Sequence, residues 1–362
     1  MGVDGQHGDV VARWPDTRFT ALAGAEHPIV QAPMAGAAGV DLCAAAIEGG
    51  AVGSLPCAML GPGELRSQAA EVRARAKGPL NLNFFCHQTP PHGDDSAWRA
   101  LLAPYFAEFE VAPGSGGPPR RPFDSAMCEA VEDVRPELVS FHFGLPEDAL
   151  LARVRTAGAV VIGNATSAAE ARWLEARGVD AIIAQGWEAG GHSGRFLGAD
   201  PAEALTLFAL IPRIADAVAV PVIAAGGIGD GRGIAAAFLL GASAVQLGTA
   251  FLHCPESGIS PVHRGALAAA PTRFTNLMSG GLARGVEGRL MRELGAIRQE
   301  APPFPLASAA LAPLRAAAEA RGEYGFGPMW AGQAGPLGGP IPAAQLVRTL
   351  AADALARLER LE

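Results

Sequence analysis

Ala181-Ile-Ile-Ala-Gln185-Gly-Trp-Glu188-Ala-Gly190-Gly191-His192-Ser-Gly194 opens as an unbroken apolar run and ends in a polar, glycine-rich turn. A run that is apolar without alternation suits a parallel strand covered on both faces. Seven more such runs occur, at 28–31, 51–55, 80–84, 138–141, 159–162, 220–224 and 244–247, each bounded by Gly, Pro or Asn. Helical periodicity fills the intervals. Leu65, Ala69, Val72 and Ala76 share a face over 64–76. Leu150, Leu151 and Val154 do so over 147–156, and Leu207, Ile211, Ile214 and Val218 over 204–218. Eight strands alternating with helices predict an α/β fold, a TIM (β/α)8 barrel rather than an open sheet.

The spacing of the runs is uneven. The middle of the gap between 84 and 138, at 89–122, is rich in Pro and Gly and carries Trp98, Tyr105 and Phe106. It reads as one long loop, functional or mobile. After the eighth run a long stretch precedes the last clear helix, 343–361, which has Leu346, Leu350, Leu358 and Leu361 at helical spacing. The organisation expected is a barrel over 17–250, a small, mainly helical insertion capping its mouth over 251–337, and the displaced closing helix over 338–362.

Of the 362 residues 49% are hydrophobic and 18% charged, enough for a large core and too apolar for a disordered chain. The net charge of −8 comes without a polybasic run, which excludes nucleic acid and anionic membranes as expected partners. Residues 1–16 are polar, without the apolar core of a signal peptide, and no stretch approaches the ~18–20 apolar residues of a membrane span. The five cysteines form no C-x-x-C pair. A cytoplasmic chain without disulfides or a metal site is expected.

In a TIM barrel, chemistry sits at the C-terminal ends of the strands. Here those ends read Gln31-Ala-Pro-Met34, Asn81-Leu-Asn83-Phe-Phe-Cys86-His87, Ser140-Phe-His142-Phe-Gly144, Gly163-Asn164-Ala-Thr166, the opening segment, Gly226-Gly227-Ile228 and Gln246-Leu247-Gly248-Thr249. One polar ending means little; seven argue for a ligand-lined mouth. The last two fit a phosphate, because the loops after strands seven and eight are the usual phosphate site of this fold and glycines leave N–H groups bare. The bland reading is a glycine turn into a helix near Asp230. Neither a Walker nor a Rossmann pattern is present. His192, between glycines, can take a proton from a carbon acid or neutralise an anion; alone it would read as a loop cap. His142 either lines the pocket or sits satisfied at the rim. Glu188 reads as a brace for the loop. Cys86 lacks an activating partner, and His7, His92, His253 and His263 read as incidental.

Taken in order, these segments resemble the nitronate monooxygenase (2-nitropropane dioxygenase) family. Arg289-Leu-Met-Arg-Glu293, Ala312-Pro-Leu-Arg315 and Trp330-Ala-Gly-Gln333 continue the likeness. The Asn-Phe-Phe-Cys-His, Ser-Phe-His-Phe-Gly and Trp-Ala-Gly-Gln pieces point to its class I branch. The resemblance implies non-covalent FMN at the barrel mouth, contacted by Met34, Asn83, Gln185, Gly190, Gly227, Gln246, Leu247, Gly248 and Thr249. It implies His192 as the catalytic base and anion partner, and oxidation of alkyl nitronates, with nitroalkanes as further substrates, by O2 to carbonyl compounds and nitrite. The implied partners are the small nitronate and O2, with a homodimer left open. Two positions depart: Ser193 stands where many relatives carry Arg, and Phe304 where class I relatives tend to have Tyr. On the same fold, an NAD(P)H-dependent flavin reductase of a quinone or enoyl thioester, and a flavin-binding protein with little turnover, are the competing readings. A non-flavin aldolase or isomerase would want a Lys or an acidic base at a strand end, and no Lys lies at one.

Overall fold

The computed structural model describes residues 13–361 except 92, 115–119, 199, 200 and 270. His7 and His92 therefore lie outside the described residues. The strands in chain order are β1 (Ile29–Gln31), β2 (Gly53–Pro56), β3 (Leu80–Phe85), β4 (Leu138–His142), β5 (Val160–Ala165), β6 (Ala181–Gln185), the short β7 (Gly191–His192), β8 (Val222–Ala225) and β9 (Ala244–Leu247). Eight of them, all but β7, form one parallel sheet in the order β1-β9-β8-β6-β5-β4-β3-β2. A parallel bridge between Val30 and Val52 joins its two edges and closes the TIM barrel. Several strands run on past the apolar run that announces them, so that Phe85, His142 and Gln185 are the last residues of β3, β4 and β6. The ladder is made by backbone groups and continues whatever the side chain.

Around the sheet stand α1 (Arg18–Ala23), α2 (Val40–Glu48), α3 (Pro62–Arg75), α4 (Ser96–Glu108), α5 (Ser125–Val134), α6 (Asp148–Thr156), α7 (Ala168–Ala176), α8 (Leu207–Ala215) and α9 (Gly231–Leu239). Starts carry their caps: Asp124, Ser167 and Asp230 each accept a first-turn N–H, and Pro62 opens α3. Inside the barrel, Val30, Val52, Leu138, Ile162, Ala181, Ile183, Ile223 and Ala244 pack together. From α1, Phe19 joins them, fully buried.

The chain then enters the insertion: α10 (Thr249–Leu252), α11 (Pro261–Ala266), β10 (Thr272–Thr275), β11 (Ala283–Val286), α12 (Arg289–Leu294) and α13 (Ala307–Ala320). It returns to the barrel as α14 (Ala343–Leu358), which packs on α9 and α2. The contact is close: a Cβ on Gly49, just past α2, would lie 2.8 Å from Val347 Cβ. The insertion is mainly helical, but it also holds the antiparallel pair β10–β11, and β11 pairs in turn with β7. No alternation in Thr272-Arg-Phe-Thr275 or Ala283-Arg-Gly-Val286 signals those strands.

The expected long loop over 89–122 is corrected. Its centre is α4, whose Trp98, Leu102, Tyr105 and Phe106 are buried against Leu277, Leu290, Leu311, Leu314 and Phe326 of the insertion. The spacing 98, 102, 105, 106 is helical. Pro104 inside the helix hid it, since proline normally ends one. Among the described residues no helix is long and apolar enough to cross a membrane.

Phe19 plugs the barrel interior with its whole side chain out of water. Phe19→Ala should lower unfolding free energy by about 3–5 kcal/mol, read from urea denaturation. A loss well under 1 kcal/mol would show that α1 does not hold the barrel floor.

Candidate active site

The turn after β6 is held by its own first residue. Gln185 Nε2 donates to the His192 carbonyl at 2.8 Å, and Gln185 Oε1 accepts from Gly194 N–H at 2.8 Å and from Asn164 Nδ2 at 3.2 Å. A second donor, His142 Nε2, reaches the same His192 carbonyl at 3.2 Å. A carbonyl only accepts, so this contact puts the His142 proton on Nε2. Space is as tight as the bonding: a Cβ on Gly194 would fall 2.2 Å from Asn164 Nδ2 and 2.5 Å from His142 Cε1.

The insertion grips the turn from the other side. β11 pairs Ala283 with His192 and Arg284 with Gly191. The Arg284 guanidinium donates twice to the Trp187 carbonyl, at 3.1 and 3.0 Å, and lies 4.3 Å from the Phe274 ring, which packs on Trp187. The Glu188 carboxylate accepts from Leu207 N–H at 2.9 Å, and its carbonyl accepts from Gln333 N–H at 3.0 Å. Glu188 is thus the brace its sequence setting suggested. Gly190 is glycine because a Cβ there would sit 2.4 Å from Gly332 N. Gly332 N–H in turn donates to Thr249 Oγ1 at 2.8 Å, tying the turn to the loop after β9.

This framework presents the His192 imidazole with only 9% of the residue exposed. Its Nε2 lies 2.8 Å from Ser279 Oγ. Phe304 and Trp330 pack on the ring at 5.0 and 5.4 Å between centroids, with Phe85 and Phe143 at 6.2 Å. Burial, then the positive charge of Arg120 and the proximity of His142 and His87, push its pKa well below 6.5. Burial likewise lowers His142 to about 4, against the opposing pull of its bond to the His192 carbonyl. Both rings are neutral at pH 7.

The imidazole opens on a cavity of about 1100 Å³ over the C-terminal ends of the strands. That exceeds the ~300–1,000 Å³ usual for one small ligand and leaves room for a cofactor beside a substrate. Met34, Asn83, His142, Gln185, Gly190, His192, Gly227, Gln246, Gly248 and Thr249 all lie on its wall. Leu247 does not: it is buried, packed among Ile29, Ala224 and Phe251. Gly226 and Gly227 both adopt left-handed φ, 114° and 67°, which a side chain would strain. Among the described residues nothing accepts from the N–H groups of Gly227 or Ile228. A left-handed glycine turn with bare amides on a cavity wall can cradle a phosphate, so these residues fit the FMN that the family resemblance implies. Asn83 offers less freedom, because its Nδ2 donates to Ser140 Oγ at 2.9 Å.

Ser193 and His263 are placed otherwise than their sequence reading suggests, while His253 and Cys86 are not. Ser193 is off the cavity: its N–H donates to the Leu282 carbonyl and it lines a small cleft with Trp187 and Phe274. Its departure from the family pattern therefore does not touch the space beside His192, whereas Phe304 does. His263, read as incidental, lies on the cavity wall, and burial lowers it to about 4. His253 is structural, bonded to the Gly335 carbonyl at 2.8 Å. Burial raises the Cys86 thiol, which makes it unreactive. Among the described residues no group of His, Cys, Asp and Glu could hold a metal. Sequence reasoning missed Ser279, Arg120 and Arg284, since each lies far along the chain from His192 or from the turn that carries it.

The family model for nitronate monooxygenase matches residues 16–353. A protein named nitronate monooxygenase from Paraburkholderia phytofirmans is 42% identical over 354 residues, 94% of this chain and 95% of that one. Another of the same name, from Pseudomonas aeruginosa, is 41% identical over 92% of this chain and 97% of its own. Among solved structures, nitroalkane oxidase from Streptomyces ansochromogenes matches with a TM-score of 0.88 and 37% identity, over 95% of this chain and 100% of that one.

The buried histidines make stability depend on pH. An unfolded imidazole titrates near 6.5, while His142 and His263 in the fold titrate at about 4 and His192 lies well below 6.5. As pH falls from 6.5 toward 4 the unfolded chain takes up protons that the folded chain refuses. Stability is therefore full above 6.5 and declines below it, by up to about 1.4 kcal/mol per pH unit for each histidine. Urea midpoints measured at about pH 7.5 and pH 5 should show that decline, and His142→Gln should flatten it. Equal midpoints would mean that the rings are charged in the fold.

Proposed function

The chain belongs to the nitronate monooxygenase family, an oxidoreductase family acting on nitronates, and we propose that it does so with FMN in the barrel mouth and His192 as base and anion partner. The observation that carries this reading is the neutral, buried imidazole of His192 facing a cavity whose other walls are the glycine loops after β8 and β9. Gly226 to Ile228 would hold the phosphate, with Gly248 and Thr249 beside it; Met34, Asn83, Gln185, Gly190 and Gln246 would line the rest of the cofactor's space. Bound FMN would supply the electron acceptor for the nitronate and deliver electrons to O2, leaving a carbonyl compound and nitrite.

The protein's own part is proton handling and desolvation. In the tautomer that carries its proton on Nε2, bonded to Ser279 Oγ, the lone pair of His192 is on Nδ1, which has no partner among the described residues. That atom can take the α-proton of a neutral nitroalkane. The imidazolium then faces the nitronate it has made, an ion pair strengthened by the aromatic walls of Phe85, Phe143, Phe304 and Trp330. A nitronate supplied ready-made needs no base, so the two substrates depend on His192 to different degrees. Gln185, Arg284 and Glu188 keep the ring in position and take no proton.

Purified protein should be yellow, with absorbance near about 450 nm, and should consume O2 when a small alkyl nitronate is added without NADH. Turnover no greater than that of free FMN would overturn the reading. Rapid anaerobic bleaching by NADH with no nitronate turnover would favour a reductase. His192→Asn should keep the flavin and lose about 10²–10⁴-fold in kcat/KM on a nitroalkane, with a smaller loss on its nitronate. Unchanged activity on both would remove His192 from the chemistry.

A further inference from the structure

His142 and His253 each meet a backbone carbonyl, which only accepts and so fixes the place of the ring proton. His192 differs. Its Nε2 meets the hydroxyl of Ser279 at 2.8 Å, and a hydroxyl can give or take the proton. The direction of that bond is decided by what else surrounds Ser279.

Ser279 is 1% exposed and stands behind the cavity wall, not on it. The other group bonded to its Oγ is Gly281 N–H, at 3.4 Å, which only donates. Among the described residues no carbonyl, carboxylate or further side chain accepts the hydroxyl proton. The turn is not free to move toward one. Gly280 takes a left-handed φ of 86°, its N–H donates to the Asn276 carbonyl at 2.8 Å, and a Cβ on it would collide with the Pro302 carbonyl. One acceptor remains, the Nε2 lone pair of a neutral His192. Were the ring to donate, Oγ would receive two N–H groups and its own proton would be buried without an acceptor. That disfavours the second arrangement about 5–100-fold. The other ring nitrogen is placed differently. Among the described residues Nδ1 of His27 and of His87 and Nε2 of His263 are enclosed without a partner; Nδ1 of His192 has no partner either, but it opens on the cavity.

We propose that Ser279 is a positioning residue for His192: its hydroxyl donates to Nε2 and so keeps the proton of the neutral ring on Nδ1, pointing into the cavity. His192 then meets an anion with an N–H donor while carrying no charge itself. The tautomer with its lone pair on Nδ1, the form that accepts an α-proton, is the minor one. In that form and in the imidazolium the Ser279 hydroxyl turns and accepts from Nε2. The two neutral forms hold the same number of protons and differ only in where one of them sits. Turnover of a neutral nitroalkane is then lowered by the small share of the minor form, whereas a ready-made nitronate is met by the major one. This consequence for turnover rests on the nitronate reading above; the place of the proton does not.

Two-bond proton–nitrogen correlation NMR on protein with isotope-labelled histidine rings reads the tautomer directly, at about pH 7.5, where an ordinary imidazole is neutral. His192→Asn identifies the signals. Wild type should show an N–H shift at Nδ1 of His192 and a lone-pair shift at Nε2. Ser279→Ala should move both nitrogens to intermediate shifts, and Ser279→Thr, which keeps the hydroxyl, should restore the single state. The His142 signals, with the proton on Nε2 throughout, report that the fold is intact. A lone pair on Nδ1 in wild type, or an unchanged tautomer in Ser279→Ala, would overturn the proposal. In turnover, Ser279→Ala should raise the ratio of kcat/KM on a nitroalkane to that on its nitronate by about 5–50-fold. An unchanged ratio would also count against it. The N–H shift at Nδ1 without any nitronate turnover would sink the nitronate reading and leave the role of Ser279 supported.

Discussion

The carboxamide of Gln185 donates to one side of the His192–Gly194 turn and accepts from the other, 2.8 Å each way. A single planar group thereby fixes the distance between the end of β6 and the residues that follow His192. Because Gln185 is still part of a parallel strand, that distance is referred to the barrel and not to a mobile loop. Three of the turn's glycines answer the same constraint. Gly190 and Gly194 admit Gly332, Asn164 and His142 at distances a Cβ would forbid, while Gly191 turns left-handed, φ 76°. The sequence pattern therefore records close packing as much as access for a cofactor.

The imidazole depends on that rigidity. A histidine this buried stays neutral where its neighbours do not solvate a charge, and those packed on this ring are the apolar rings of Phe304, Trp330 and Phe85. Every charged or ionisable neighbour acts in the same direction. Arg120, His142 and His87 all disfavour a second positive charge, and no carboxylate offsets them. The ring itself thus has no negative partner, which suits a substrate that brings one.

The insertion completes the arrangement. Ser279, β11, Phe304 and Trp330 all come from it, and α4 from the barrel side buries four side chains against it. A barrel with the same strands and no insertion would leave the His192 ring open to water on that side. The return of the chain as α14, seated between α9 and α2, lets the excursion occur without breaking the ring of helices.

Much of this was legible in the chain itself. Eight apolar runs with helical spacing between them announce the barrel, because a parallel strand covered on both faces has no polar positions to spare. The polar residues at the strand ends mark the wall of the cavity, because in this architecture those ends share one mouth. Leu247 sits in the core rather than on the cavity wall, because strand alternation sends its side chain inward while its neighbours face the cavity. Helix α4 was hidden by Pro104, and β10 and β11 by the absence of any period. The neutral state of His192 and its bond to Ser279 were beyond any pattern. Each is a relation between residues far apart in sequence, set only when the insertion folds over the mouth and excludes water. The sequence determined which groups face the cavity; tertiary structure decided their protonation and their partners, since both depend on desolvation by neighbours that the order of residues does not name.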